Sequence, residues 1–338
     1  MKLTFEPLNL ETKHLFAISR GGSKVFKNVL LRIESDGLVG LGEAGPSSFH
    51  GENQRTVLAA LETICERVSG MNPFSDPVCE EAKKAIGKNF AAKAALDMAV
   101  HDIKGRKAGV PVWFSLGISR ETAPTTSVTI GLDEIDAMRK KVKEASSYPI
   151  LKVKLGTDKD VEILRAMREE TDAVIRVDAN CAWSAKEAVR KIKALESFGI
   201  EFVEQPVPPN DIEGLRFVRE RVDVPIIADE SAGTPEDIPK LVGAVDGINI
   251  KLQKCGGITE ALKMIHTARS FGLSVMIGCM IESSLSVTAA AHLSPLVDYA
   301  DLDGPILLKT DPFKGVLFEK GRIVLPSSAG LGVERRQP

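Results

Sequence analysis

From about residue 125 onward the chain repeats one unit. Short apolar runs recur: SVTIG (127–131), ILKVKLG (150–156), VIRVDAN (174–180), FVEQP (202–206), PIIADES (225–231), GINIKLQ (247–253), SVMIGCMIE (274–282) and YADLDG (299–304), with starts about 20 to 30 residues apart. Most intervals hold an amphipathic helical pattern, as in DKDVEILRAMREET (158–171) and SAKEAVRKIKALESFG (184–199). Strand and helix alternating at this period build a parallel sheet covered by helices. Eight strands predict a closed (β/α)8-type barrel. An open doubly wound sheet is the competing arrangement, but no GxGxxG follows the first strand to support it.

The barrel reading gives meaning to charges that would otherwise be surface residues. In ILKVKLG, Leu151, Val153 and Leu155 alternate with Lys152 and Lys154, so both lysines share one strand face. On a surface strand they point to water. On a barrel strand, covered on both sides, they point inward near the C-terminal end, where such folds keep their sites. The other strands end similarly: Asp178 and Asn180, Glu204, Asp229 beside Glu230, Asn249 and Lys251, and Asp301 and Asp303. A single strand-end carboxylate is commonly structural. Asp178, Glu204 and Asp229 on three consecutive strands would repel one another without a cation. Hard oxygen donors without His or Cys favour Mg²⁺ or Mn²⁺ over Zn²⁺.

In a ring of eight, strands two and six face each other. Lys154 and Lys251 then approach a central ligand from opposite sides, with the carboxylate strands filling the arc between them and strand eight across the mouth. This suits carbon-acid chemistry. A divalent ion on a substrate carboxylate stabilises the enediolate left when the adjacent proton departs. One lysine removes the proton and the other returns one to the opposite face, provided that burial, the ion or a neighbouring lysine lowers the base's pKa.

The first part of the chain reads differently, with strands near Leu3–Leu10, Asn28–Ser35 and Leu38–Ala44 and helices near Gln54–Val68 and Phe90–Lys107. The 338 residues suffice for one large α/β barrel or two domains. A formal net charge of −2 gives no basic field for nucleic acid or an anionic membrane. No run approaches the roughly 20 apolar residues of a membrane span, and the opening MKLTFEPLNLE lacks the apolar region of a signal peptide. Five cysteines without CxxC spacing fit a reduced, cytoplasmic protein. His101–Asp102 looks like an acid/base pair, but adjacent helical residues do not face each other, so it reads as structural.

Together KVK (152–154), DAN (178–180), EQP (204–206), ADES (228–231) and NIKLQKCGG (249–257) resemble the enolase superfamily, in its muconate-lactonizing-enzyme-like subgroup. MIGCMIESS (276–284) and DLDG (301–304) look like its dipeptide epimerases, including L-Ala-D/L-Glu epimerase. The resemblance implies an α/β fold, a modified TIM barrel of (β/α)7β type over residues 123–304. An α+β capping domain would come from residues 1–122 and the C-terminal segment 305–338. It implies one Mg²⁺ per subunit (Mn²⁺ as the alternative ion) on Asp178, Glu204 and Asp229, and Lys154 and Lys251 as the acid/base pair. Lys152 would hold the substrate carboxylate and lower the pKa of Lys154.

By the same resemblance Asp301 and Asp303 would hold the dipeptide's ammonium; alone, DG and GP also read as a turn. Arg20, in a glycine-containing segment FAISRGGSK (16–24) that reads as a mobile lid, would meet a glutamate side chain. Cys279 and Ile281 would line the pocket for the N-terminal residue, with Ser127 and Glu282 as weaker candidates. The implied partner is a small dipeptide, in a cytoplasmic enzyme that can be a homo-oligomer and would serve cell-wall peptide recycling. An o-succinylbenzoate synthase, a cycloisomerase or an N-acylamino acid racemase shares the core, though their substrates lack the ammonium. A non-catalytic, metal-stabilised peptide-binding barrel is the reading from another class.

Overall fold

In the computed structural model, which describes residues 1–337, the first three strands form an antiparallel sheet, β1 (Lys2–Ile18), β2 (Gly21–Ser35) and β3 (Leu38–Ala44). Alternation on β2 sends Val29, Leu31 and Ile33 to one face. There they pack against α1 (Gln54–Val68), α2 (Val78–Ala85) and α3 (Phe90–Ala108). Asn53 starts α1 with a capping box to Thr56. The alanines of α3 let it lie close on β3, and Gly42 completes the fit: a Cβ there would sit 1.9 Å from the Ala95 carbonyl oxygen.

Eight parallel strands follow: β4 (Val128–Ile130), β5 (Ile150–Lys154), β6 (Val174–Asp178), β7 (Ile200–Glu204), β8 (Ile226–Ala228), β9 (Gly247–Lys251), β10 (Ser274–Gly278) and β11 (Tyr299–Asp301). Each pairs with its sequence neighbour. The ring closes through a parallel bridge between Thr126 and Ala300 and a Ser127 N–H donated to the Ala300 carbonyl at 3.1 Å. The barrel therefore replaces the open doubly wound sheet. Among the described residues, no helix is long and apolar enough to cross a membrane.

After β11 the chain returns to the first sheet. Leu308 bridges Thr12, and Gly330 bridges Pro111. Asp102 fastens the joint: it accepts from Leu41 N at 2.9 Å, Leu331 N at 2.8 Å and Arg106 Nε at 3.0 Å. His101 turns elsewhere, to Thr259 Oγ1 at 3.1 Å, so His101–Asp102 has the structural role expected of it.

Some boundaries differ from the sequence reading. The 16–24 segment is not a free loop. Beyond a register shift between Glu11 and Phe16, β1 and β2 pair again from Phe16–Ser23 to Ile18–Gly21, so Arg20 sits in a tight hairpin turn. Backbone pairing outweighed the glycines. Strands β10 and β11 stop at Gly278 and Asp301, so Cys279, Ile281 and Asp303 lie just past them.

A buried polar seam joins the first sheet to the barrel. Glu43 accepts from Asn28 Nδ2 at 2.7 Å and Ser283 N at 3.1 Å, and the Ser283 hydroxyl bonds its other oxygen. Gln253 Nε2 donates to the Glu43 carbonyl at 3.0 Å and to Glu282 Oε2 at 3.1 Å. Burial, reinforced by Glu282, pushes the Glu43 carboxyl up to about 7 against these donors. Because this folded value exceeds the ordinary 4.5, the folded chain holds a proton that the unfolded chain releases. The associated stability is full below the unfolded pKa and is lost as pH rises toward 7. Glu43→Gln, which cannot ionise, should therefore stabilise the protein at pH 8 by up to about 3 kcal/mol, and by much less at pH 5. Urea unfolding at both pH values checks this; an equal difference at the two would refute it.

Candidate active site

A cavity of about 500 Å³ opens at the C-terminal ends of the barrel strands. The β1–β2 turn and the segment after β3 roof it, and Lys152, Lys154, Asp229, Lys251, Asp301 and Asp303 line it. Strand register places these groups. Lys154 pairs with Asp178, and Asp178 with Glu204, so three charged residues share one level. On the far side Lys251, Gly278 and Asp301 share another. Gly278 is required beside Asn249, whose amide oxygen would lie 2.7 Å from a Cβ at that position.

Asp178, Glu204 and Asp229 are fully or almost fully buried, each with an oxygen within 4.8 Å of the others'. Each is held from behind. Asp178 Oδ1 accepts from Asn180 N at 2.9 Å, and Glu204 Oε1 from Asn249 Nδ2 at 2.7 Å. Gln205 Oε1 accepts from the backbone N–H groups of Asp229 at 2.9 Å and Ser231 at 3.1 Å, fixing the start of the β8 loop. Backbone at φ +46° for Asn180, +66° for Cys181 and +36° for Gln205 is left-handed, a strain that concentrates at functional sites. Glu204 Oε2 makes no aligned hydrogen bond, although Lys152 Nζ lies 2.6 Å away. An oxygen without an aligned donor, in a set of three converging hard donors, fits a divalent cation.

The lysines interleave with these acids. Lys154 Nζ donates to Asp178 Oδ2 at 2.6 Å, and Lys251 Nζ to Asp229 Oδ2 at 2.8 Å. Lys152, 1% exposed, reaches Asp301 at 2.7 Å, Glu204 at 2.6 Å and Asp178 at 3.0 Å. Burial pulls Lys152 and Lys251 down. The acids outweigh it, Asp301 and Glu204 most at Lys152 and Asp229 most at Lys251, so both stand above the ordinary lysine value. In return Lys154 and Lys152 hold Asp178 below the usual carboxylate range despite burial, and Lys251 and Lys254 do so for Asp229. Burial and Asp178 push Glu204 up to about 7.

Across the mouth, Asp301 accepts from Ser127 Oγ and from Lys152 Nζ, both at 2.7 Å. Asp303 accepts from Thr129 N at 2.6 Å. Cys279 and Ile281 line the cavity near them; Ser127 is fully buried behind Asp301 and does not. Glu282 belongs to the seam with Gln253 and Ser286. Arg20 lines the cavity rim, where its donors are engaged by the Asn180 carbonyl at 2.5 Å and Glu230 Oε1 at 2.9 Å, and its guanidinium lies 4.3 Å over the Phe49 ring.

The sequence reading missed Lys254. Its ammonium donates to Asp229 Oδ1 and O, both at 2.5 Å, and to Asn249 O at 2.9 Å. It also missed His50, held down to about 4 by burial and Lys254. Lys254 sits in a helical turn, Leu252–Cys255, where strand parity says nothing about direction. His50 comes from a segment with no periodic signal.

Residues 135–337 match the enolase C-terminal domain-like family, and residues 6–117 match the N-terminal domain of mandelate racemase and muconate lactonizing enzyme. An L-Ala-D/L-amino acid epimerase of Maribacter sp. is 40% identical over the full length of both chains. An L-Ala-D/L-Glu epimerase of Bacteroides thetaiotaomicron is 40% identical, over 98% of this chain and 88% of its own. A dipeptide epimerase from Enterococcus faecalis, solved with Mg and L-Leu-L-Tyr, superposes with a TM-score of 0.94 at 38% identity, over 99% of each chain.

If the three acids hold one hard cation, Mg²⁺ at 100 times its Kd should stabilise the fold by about 2.7 kcal/mol. Glu204→Gln should lose most of that increment, whatever its own baseline. Thermal melts with and without Mg²⁺ measure it; an undiminished increment in the variant would place the ion elsewhere.

Proposed function

Because the chain belongs to the enolase superfamily, through the mandelate racemase and muconate lactonizing enzyme group, we propose that it is a Mg²⁺-dependent dipeptide epimerase acting on L-Ala-D/L-Glu. The observation that carries the reading is the pairing of Lys154 with Asp178 and Lys251 with Asp229, on strands four apart around a ring with Glu204 between. Two amines therefore flank one carboxylate set. We take residues 123–304 as the catalytic barrel and 1–122 with 305–338 as its cap, in a cytoplasmic enzyme.

Asp178, Glu204 and Asp229 would hold the ion, which when bound draws charge from the substrate carboxylate, acidifies the α-carbon and relieves the acids' pull on the lysines. Lys152, in contact with Glu204 and Asp178, would meet the same substrate carboxylate. One of Lys154 and Lys251, as the free amine, takes the α-proton from its face. The other, as ammonium, delivers a proton to the opposite face. The carbon is inverted, and the two lysines exchange protonation states until solvent resets them. Asp301 and Asp303, across the mouth, offer negative charge to the dipeptide's ammonium. Arg20 at the rim, released from Glu230, offers two donors to the glutamate side chain. Cys279 and Ile281 bound the space for a small N-terminal side chain.

Wild-type protein in D₂O with Mg²⁺ should incorporate deuterium at the glutamate α-carbon of both L-Ala-L-Glu and L-Ala-D-Glu. Lys154→Ala and Lys251→Ala should each lower epimerisation by at least about 100-fold. Each should leave exchange from one diastereomer only, the opposite one in the two variants, as read by NMR. Equal exchange from both diastereomers in either variant would contradict the two-face assignment.

A further inference from the structure

The three converging acids share a pattern in which one oxygen is held from behind and the other faces a lysine. Asp178 Oδ1 accepts from the Asn180 N–H at 2.9 Å, and Glu204 Oε1 from Asn249 Nδ2 at 2.7 Å. Their other oxygens lie 2.6 Å from Lys154 and Lys152 respectively. Asp229 departs from this in one respect. Its Oδ2 faces Lys251 at 2.8 Å, but the donor on Oδ1 is not an amide: it is the ammonium of Lys254, at 2.5 Å. An ammonium has three donors. Lys254 turns the other two to the carbonyl oxygens of Asp229, at 2.5 Å, and Asn249, at 2.9 Å. With all three engaged and the residue 3% exposed, no donor is left for a ligand.

The turn that carries Lys254, Leu252–Cys255, is itself fixed. Gln253 ties it to the cap, accepting from Gly45 N at 2.8 Å and donating to the Glu43 carbonyl at 3.0 Å. Asn249 extends the lysine's reach, since its carbonyl takes a Lys254 donor while its side chain holds Glu204. We propose, resting on the reading of Asp178, Glu204 and Asp229 as one cation site, that Lys254 is a positioning residue. It locks the Asp229 carboxylate through Oδ1 and so leaves Oδ2 to meet both the cation and Lys251. Its charge works against this role, because a like charge beside a cation is unfavourable. Its contribution is therefore the geometry of three bonds.

The test titrates wild type and Lys254→Met with Mg²⁺ by calorimetry. Removing a group that orients a metal ligand raises Kd by about 10- to 100-fold, and the variant should show that loss. A lysine acting through its charge alone would give the opposite sign, since its removal would tighten Mg²⁺. The second measurement is deuterium exchange at the glutamate α-carbon in saturating Mg²⁺. Lys251 rests on Asp229 and Lys154 on Asp178, so loosening Asp229 should act on one face only. Lys254→Met should slow, by about 10-fold, the diastereomer that Lys154→Ala still exchanges. It should spare the one that Lys251→Ala still exchanges.

Should Lys254→Met fold poorly, Lys254→Gln removes the charge while keeping a polar group, and both measurements should move in the same direction. Unchanged or tighter Mg²⁺ binding in the variant overturns the proposal. So does equal slowing of the two diastereomers, which is what a general loosening of the barrel would give. A wild type that takes up no Mg²⁺ overturns it together with the cation site. A wild type that binds Mg²⁺ but incorporates no deuterium would instead reject the epimerase reading, and the change in Mg²⁺ Kd would then decide the role of Lys254 by itself.

Discussion

The site depends on burying like charges beside one another at a single barrel mouth. Asp178, Glu204 and Asp229 are withdrawn from water, and no one of them would tolerate the others without compensation. The lysines supply it, and they arrive by the same route, as alternate residues on parallel strands. Register does the rest. Because Lys154, Asp178 and Glu204 are paired partners in adjacent ladders, their side chains leave the sheet at one height. A slip of one residue in β5 would turn Lys152 and Lys154 outward and leave Asp178 and Glu204 without the lysines that face them. Fold and site are thus specified by the same hydrogen bonds.

Much of this was legible because parity is legible. A strand written Leu-Lys-Val-Lys-Leu fixes which side chains share a face, and a parallel barrel fixes that the face is interior. Lys152, Lys154, Asp178, Glu204, Lys251 and Asp301 followed from those two facts. What was not legible lies where the chain leaves the strand. Lys254 reaches Asp229 from a helical turn, Arg20 from a hairpin turn, and His50 from an irregular segment; for these, direction depends on packing over long sequence separations. The glycines in 16–24 suggested a loose loop. Whether they would close a strand pair or open it depended on pairing that resumes only past a register shift, after ten residue pairs along the rest of β1 and β2.

Sequence also presents Asp301 and Asp303 as equivalent: same parity, same motif, two residues apart. The structure separates them by their neighbours. Strand β11 ends at Asp301, which therefore stays in the layer where Lys152 and Ser127 meet it. Asp303 lies beyond the strand, pinned through one oxygen to the Thr129 N–H. The same spacing that makes the two residues look alike places one inside the charge network and the other at its edge.

That edge position matters for how a small charged molecule is read. A substrate with a carboxylate at one end and an ammonium at the other must span the mouth, and its orientation is fixed only if the two ends cannot exchange. The metal-facing end is crowded with Lys152, Lys154, Lys251 and Lys254, which would repel an ammonium. The Asp303 end, by contrast, has an acceptor oxygen facing only a thiol, which would repel a carboxylate. On the dipeptide reading, the repulsion at each end, as much as the attraction, would set which α-carbon lies between Lys154 and Lys251, and so which stereocentre would be turned over.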